Sequence, residues 1–593
     1  MKKFRKNGII YAAIGVDLVE FMYNPMMGKR QYNKSKDIQR INWADRKGAV
    51  TMNNTKHGRK YTNRLTAMAL ILFLLVFPSI GRAATPKTPS ETEYLEELVE
   101  EYFYYDIPDE FYEIADPAGK INSLHDPYSQ YFSAEEYEEF TQGIDMDFRG
   151  IGIYAEQVDE GIRITLIIEG SGASEAGLQE GDIITAADGV TLKGLTQEEA
   201  VSQIRGEEGT TAKLRIKRGD SDFQVSVKRG PIHVSTVEGS MLDNHVAYIV
   251  IRSFGEDTNA EFSDLLETFE AQDPDGYILD VRTNPGGYLM SAVDLVGFFA
   301  AGKPALSVRN KYGETTVFDA TDHKVRIDKT MVLLTDRYSA SASEIYAGAF
   351  RDYNAGLIVG EKTYGKGTVQ SMFLLPGGGV AKLTVDQFFS PTGKVIHKVG
   401  VTPDLTVSEL DPVRLAALLF GKPDDSSKRG YMQFTYNGHN CDIDLTEARK
   451  SENWGIYGQM INLYRNGRAD LKKGSFSRWQ AIPQGDVSKL WKYYYPEYKE
   501  LPTLENVPRD KQFTITFNGT VTQSFLDSNP VELIHSKTGK RIPLSLQEQG
   551  ANIYKAVPNE PLTGGENYYL VIHTGLASGS RNYGSIVEIA VMK

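Results

Sequence analysis

One cysteine in 593 residues, Cys441, excludes an intramolecular disulfide, and no Cys/His cluster has the spacing of a structural zinc site. Histidine is scarce too. Nine are scattered along the chain, enough by count for a histidine-based triad, but no GxSxG elbow accompanies any of them. Basic residues are in deficit: 65 Lys and Arg against 78 Asp and Glu leave a formal charge of −13. That balance argues against a nucleic-acid partner, because phosphate binding needs clustered cations. The one notable apolar run, Ala67 to Phe77, is too short for a comfortable membrane span.

What is present is length for three to five domains and enough apolar content, 41%, for real cores. The apolar run follows Lys56, Arg59, Lys60 and Arg64 and is followed by Pro78 and Gly81-Arg-Ala83. That is the order of a secretory signal: basic, apolar, then small residues at a cleavage site. An uncleaved anchor is the competing reading. The signal is assigned to 52–84, with Met52 as the expected start and 1–51 as a non-native upstream extension. No cysteine stands directly after the run to carry a lipid.

The remainder changes character in blocks. Residues 85–145 open on a Thr/Pro linker. They continue as acidic helix with Tyr94, Leu95, Leu98, Val99, Tyr102 and Phe103 at helical spacing. Residues 146–232 read as short strands with one helix, Thr196 to Arg205, in a small β-barrel-like domain. Residues 233–410 alternate strand and helix: Val246 to Ile251, Thr258 to Phe269, Gly276 to Arg282, Leu289 to Ala301, Thr330 to Thr335, Ser343 to Ala355 and Leu357 to Gly360. That βαβ rhythm predicts a mainly parallel α/β sheet. Residues 411–504 are left unassigned, as linker or accessory region. Residues 505–593 alternate in the manner of a β-sandwich.

The chemistry concentrates in three short segments. Asp336-Arg-Tyr-Ser-Ala-Ser-Ala-Ser-Glu344 lies between a strand and a helix. A serine there gains from helix N-terminal amides, which can stabilise an oxyanion; a plain helix N-cap uses the same residue types. Local sequence leaves Ser339, Ser341 and Ser343 tied. Lys366 stands between Gly365 and Gly367, at the mouth of a predicted strand whose period of two puts Lys366, Thr368 and Gln370 on one face. A serine hydroxyl needs a base, and a buried lysine, driven toward its neutral form, can be that base. A surface lysine in a glycine-rich turn is the ordinary alternative. Asp280-Val-Arg-Thr-Asn-Pro-Gly-Gly287 is the third segment, where Gly286 or Gly287 lets main chain approach a ligand. An amide from that pair, with the Ala342 amide, suits an oxyanion hole; an ordinary βα turn has the same composition.

Taken in order, these blocks resemble the carboxyl-terminal processing proteases, the tail-specific serine peptidases of family S41. Leu124-His-Asp-Pro-Tyr-Ser-Gln-Tyr-Phe132, Phe148-Arg-Gly-Ile-Gly-Ile153, Ala176-Gly-Leu-Gln-Glu-Gly-Asp182 and Gly400-Val-Thr-Pro-Asp404 carry the likeness with the three segments above. The resemblance implies a multidomain α/β protein: a ClpP/crotonase-like S41 peptidase core with an inserted PDZ domain, an N-terminal helical segment and a C-terminal all-β Ig-like domain. It assigns the nucleophile to Ser341, the general base to Lys366 and the lysine-orienting role to Gln370. It requires neither metal nor cofactor. In the PDZ-like part, consecutive amides of Arg149, Gly150, Ile151 and Gly152 suit a terminal carboxylate, with the peptide adding as a strand. The implied partners are protein or peptide substrates with free C-termini, and a homo-oligomer is left open.

Residues 510–580 resemble bacterial Ig-like modules of S-layer and cell-wall proteins, through Arg509 to Phe517 and Glu566 to Leu576. That implies a secreted or cell-envelope bacterial protein, with envelope association through the C-terminal domain. The competing reading of the whole chain is a catalytically silent PDZ-bearing envelope adaptor.

Overall fold

The computed structural model describes residues 90–593, apart from 408–409, 484–485, 518, 520 and 574–583, together with the short strand Gln39–Ile41. The expected signal, 52–84, lies outside the described residues, as does nearly all of 1–51. The chain folds as two compact units made of interleaved segments. One holds the residues up to His233 with Gly287–His323 and Gly367–His397; the other holds Val234–Gly286, Lys324–Lys366 and Lys398–Lys593.

In the first unit the expected N-terminal helix forms as Glu91–Tyr102. Ser90 caps it, and Leu95, Leu98 and Val99 are its buried stripe. It does not close a core of its own. Those residues pack with Phe103, Phe111, Ile121 and Leu124 against Phe373, Leu375, Ala381, Leu383 and Val385. The short strand Gln130–Phe132 adds antiparallel to Val380–Phe389, which also pairs with Thr368–Leu374. A separate five-strand path runs Ile153–Val158, Gly161–Ile167, Ile183–Ala187, Thr211–Arg218, Ser221–Lys228. Thr211–Arg218 shows why: its alternation buries Ala212, Leu214 and Ile216 in turn. Helix Gln197–Ile204, capped by Thr196, adds Ala200 and Ile204 to that core.

In the second unit a six-stranded sheet has the order Val237–Met241, Ala247–Ile251, Tyr277–Asp280, Met331–Thr335, Gly356–Gly360, Leu405–Thr406. The first pairing is antiparallel and the other four are parallel. Tyr277–Asp280, Met331–Thr335 and Gly356–Gly360 are buried along their whole length, as parallel strands covered on both faces must be. The segment the sequence left unassigned builds a four-stranded antiparallel sheet and the helix Ser451–Arg465. Its Trp454, Tyr457, Trp491 and Tyr494 share one core with Val332, Leu334, Leu357 and Val359 of the parallel sheet. Beyond it, strands including Val531–His535, Asn567–Ile572 and Ser585–Val591 form one sheet, and Phe513–Thr516, Leu544–Gly550 and Ile553–Pro558 another. Leu533, Leu570 and Ile589 of the first meet Phe513, Ile515 and Ala556 of the second in a common core.

Candidate active site

The buried strand Met331–Thr335 delivers the chain to a tight turn, Asp336 to Ala340, and then to helix Ala342–Asp352. Asp336 Oδ1 organises the turn by accepting from the amides of Tyr338 and Ser339 at 2.9 Å and of Thr283 at 3.0 Å. The three serines now separate. Ser339 Oγ donates to the Val281 carbonyl at 2.8 Å, and Ser343 Oγ donates to the Asn284 carbonyl at 2.9 Å. Ser339 Oγ also lies 3.2 Å from Asp336 Oδ1, so both hydroxyls are engaged. Ser341 Oγ is buried and has no hydrogen-bond partner among the described residues. Its backbone is also unlike the other two: φ 60° and ψ −112°, outside the basins an ordinary residue occupies. Such a conformation costs about 1–3 kcal/mol and persists only where surrounding contacts fix it.

Those contacts are visible. The Ala340 amide donates to the Asn284 carbonyl at 3.1 Å and the Ser341 amide to Glu344 Oε2 at 3.0 Å. Gly286 lies directly against the turn. A Cβ on it would stand 2.9 Å from Ser341 Cβ and 3.0 Å from the Ala342 nitrogen, and its φ of +119° is one only glycine adopts readily. The Gly286 N–H donates to Asn284 Oδ1 at 2.8 Å, so that amide is already engaged.

Lys366 is fully buried in the same unit as Ser341. Its amide donates to Glu344 Oε2 at 2.8 Å, so one carboxylate oxygen binds the main chain of both residues. Glu344 Oε1 accepts from Thr363 Oγ1 at 2.6 Å and from the Gly365 amide at 2.7 Å. Burial pushes the Glu344 carboxyl above its usual range, and the four hydrogen bonds oppose that. The Gly400 to Asp404 block anchors this loop. The Val401 amide donates to Thr363 Oγ1 at 2.7 Å, and a Cβ on Gly400 would stand 2.5 Å from the Thr363 carbonyl oxygen.

Asp280, from the third segment, serves its own strand end. Tyr248 donates its hydroxyl to Asp280 Oδ2 at 2.6 Å, and the Arg282 guanidinium grips both carboxylate oxygens.

Gln370, Gly287 and the Arg149–Gly152 loop belong to the other unit. Gly287 has φ +141°. Gln370 is fully buried on Thr368–Leu374, and its Nε2 donates to Thr368 Oγ1 and Thr384 Oγ1, both at 3.1 Å. Thr384 gives its own proton to Asp126 Oδ2 at 2.6 Å, so toward Gln370 it can only accept. That fixes which end of the Gln370 amide faces the threonines and leaves Oε1 with no partner among the described residues. In the loop, Arg149 and Gly150 lie in the strand Asp147–Gly150, paired with Gly230–His233. The Arg149 guanidinium forms an ion pair with Glu138. Ile151 is buried, with its carbonyl accepting from the Ala173 amide at 2.8 Å.

Glu344, Asp126, Thr384 and Asn284 were not singled out from sequence. Ser341 and Glu344 do carry a readable signal, the S-x-x-E spacing of a capping box. Asp126 sits inside a quoted block that gave it no role, and Thr384 carries no local signal at all. No three His, Cys, Asp or Glu side chains are grouped to hold a metal ion among the described residues. No described helix is long and apolar enough to cross a membrane.

The chain matches peptidase family S41 over residues 245–407 and the PDZ domain over residues 143–217. It is 36% identical over 361 residues to the carboxy-terminal processing protease CtpA of Bacillus subtilis (strain 168), covering 60% of this chain and 77% of that one. To the "Probable CtpA-like serine protease" of Staphylococcus aureus (strain COL) it is 34% identical over 291 residues, covering 49% of this chain and 58% of the relative. Among solved structures, the photosystem II D1 C-terminal processing protease aligns with a TM-score of 0.36 at 21% identity, over 56% of this chain and 98% of that one.

Proposed function

This chain belongs to the carboxy-terminal processing serine proteases of peptidase family S41, and from that premise we propose that Ser341 is its nucleophile and Lys366 its general base. Ser341 Oγ attacks the carbonyl carbon of a peptide bond as the neutral Lys366 amine takes its proton. The oxyanion is received by the Ala342 amide, at the first turn of its helix; of the glycine pair, Gly286 has its N–H held by Asn284, which leaves Gly287 as the pair's candidate donor. The lysine then gives the proton to the leaving amine, and water releases the acyl group from Ser341. The family resemblance gives the lysine-orienting role to Gln370. What carries the reading is the sorting of the three serines of the turn: of these, Ser341 alone keeps a buried hydroxyl with no hydrogen-bond partner among the described residues, on a backbone held in a rarely populated conformation.

The PDZ domain receives the C-terminal tail of a protein substrate, its carboxylate at Arg149, Gly150, Ile151 and Gly152 and its chain added as a strand. The strand content and common core of residues 505–593 support an Ig-like β-sandwich that spaces the peptidase from the bacterial envelope. The basic-apolar-small order at 52–84 supports export, and hence an extracytoplasmic protease. The test is digestion of fluorescein-labelled casein by wild type, Ser341→Ala and Lys366→Ala. Both variants lose cleavage on this account; equal cleavage by wild type and Ser341→Ala rejects it.

A further inference from the structure

Among the described residues, four helices start with a Ser or Thr followed three residues later by Glu, and one of the four is built differently. In Ser90/Glu93, Ser133/Glu136 and Thr196/Glu199 the hydroxyl accepts from the Glu amide at 3.2, 3.2 and 3.3 Å. The carboxylate reaches back to the Ser or Thr amide at 2.9, 2.7 and 2.8 Å. All three glutamates are exposed. A capping box therefore works at the surface, with no need to bury a carboxylate.

At Ser341/Glu344 the hydroxyl half of the box is replaced. The Glu344 amide donates to the Ser341 carbonyl at 2.8 Å, the Ser343 amide donates to the Ala340 carbonyl at 3.1 Å, and Ser341 Oγ has no hydrogen-bond partner among the described residues. The carboxylate half is enlarged. Besides the Ser341 amide, Glu344 accepts from Thr363 Oγ1, the Gly365 amide and the Lys366 amide, 19 to 22 residues along the chain, and it is fully buried. Each oxygen holds two donors. Four donors converging on one carboxylate favour its anion and oppose the burial that pushes the carboxyl above its usual range.

We infer that Glu344 is a positioning residue of the catalytic pair. Its buried carboxylate clamps the main chain of Ser341 and Lys366 to each other and holds Ser341 in the turn that frees its hydroxyl from helix capping. The inference rests on the Ser341–Lys366 reading. A helix cap alone does not account for three bonds to a distant loop or for the burial. Because the carboxylate is bound on all sides by main chain and Thr363, it acts on the reacting groups and not on substrate binding.

The experiment measures kcat and KM on fluorescein-labelled casein, with thermal melting of each variant. Glu344→Gln turns one oxygen into an NH2 that faces two donors. We expect kcat to fall about 100-fold, the effect of misplacing reacting groups by about 1 Å, with KM changed by less than about threefold. Thr363→Val removes one of the four donors and should lower kcat about tenfold, and Thr363→Ser should restore it. A purely structural role instead predicts lowered melting temperatures with kcat intact in the folded fraction, and that result overturns the inference. If Glu344→Gln does not fold, equal kcat for Thr363→Val and Thr363→Ser overturns it as well. Ser341→Ala is run in parallel. If it still cleaves, the dyad reading has failed and the clamp with it. If it is inactive while Glu344→Gln keeps wild-type kcat, only the clamp has failed.

Discussion

Replacing Gly286 by alanine tests the geometry around Ser341 with a single methyl group. The added Cβ would stand 2.9 Å from Ser341 Cβ and 3.0 Å from the Ala342 nitrogen. Carbon contacts settle at roughly 3.5–4.0 Å, so the turn must retreat by about 0.6–1 Å. The backbone adds its own penalty, because φ +119° at Gly286 is a region that side chains rarely adopt; holding alanine there costs about 1–3 kcal/mol. Together we expect a stability loss of about 2–4 kcal/mol in urea denaturation. In the folded fraction kcat on casein should fall about 100-fold, through displacement of Ser341 and the Ala342 amide. Gly302→Ala is the control. Its φ is +67° with nothing within 4 Å, so it carries backbone strain without a contact. It should lose about 1 kcal/mol and keep its activity. A Gly286→Ala protein with wild-type stability and kcat would refute the close approach from which the role of the turn is argued.

Other expectations follow from neighbouring groups. Lys382 is buried, donates to Gln130 Oε1 at 3.1 Å, and has its amine pulled down to about 7 by desolvation. Unfolded, the same amine titrates near about 10.4, so between roughly pH 7 and 10 the unfolded state binds more protons and stability rises with pH. Lys382→Met should flatten that slope and stabilise the neutral protein by on the order of 4 kcal/mol, read from urea denaturation at both ends of the window. A wild-type slope no steeper than the variant's contradicts the assignment. Thr384→Val removes the hydroxyl that links Gln370 to Asp126, and should lower kcat about tenfold at a stability loss of about 1–3 kcal/mol. Unchanged kcat in that variant would detach Gln370 from the reaction. Finally, kcat/KM should fall as pH drops and the lysine base becomes an ammonium, and a flat acid limb argues against an amine base.

How much of this was legible in the sequence depended on whether the deciding contact was local. The parallel strands announced themselves as apolar runs between amphipathic helices, and Tyr277–Asp280 and Met331–Thr335 lie where those runs placed them. The helix at Glu91–Tyr102 was equally plain from its period. That its apolar stripe would be covered by Phe373 and Leu383, far along the chain, was not, because periodicity reports a buried face and not its partner. Residues 411–504 resisted because runs such as Tyr493, Tyr494 and Tyr495 are apolar without a period. At the site, resemblance singled out Ser341 where local residue types left three serines tied. The main-chain carbonyls that accept from the Ser339 and Ser343 hydroxyls offer a physical reason for the same distinction. The engagement of the Gly286 amide by Asn284 depends on a rotamer and left no trace in the text of the chain.

The central claim is that Ser341 is the reacting serine and Lys366 its base, and covalent trapping tests it most directly. Wild-type protein is treated with a small fluorophosphonate, which modifies an activated serine, and the adduct is located by peptide mass spectrometry. The account predicts a single adduct on Ser341, absent from Ser341→Ala and formed at least about 100-fold more slowly in Lys366→Ala. An adduct on Ser339, Ser343 or another residue, or undiminished labelling without Lys366, contradicts it.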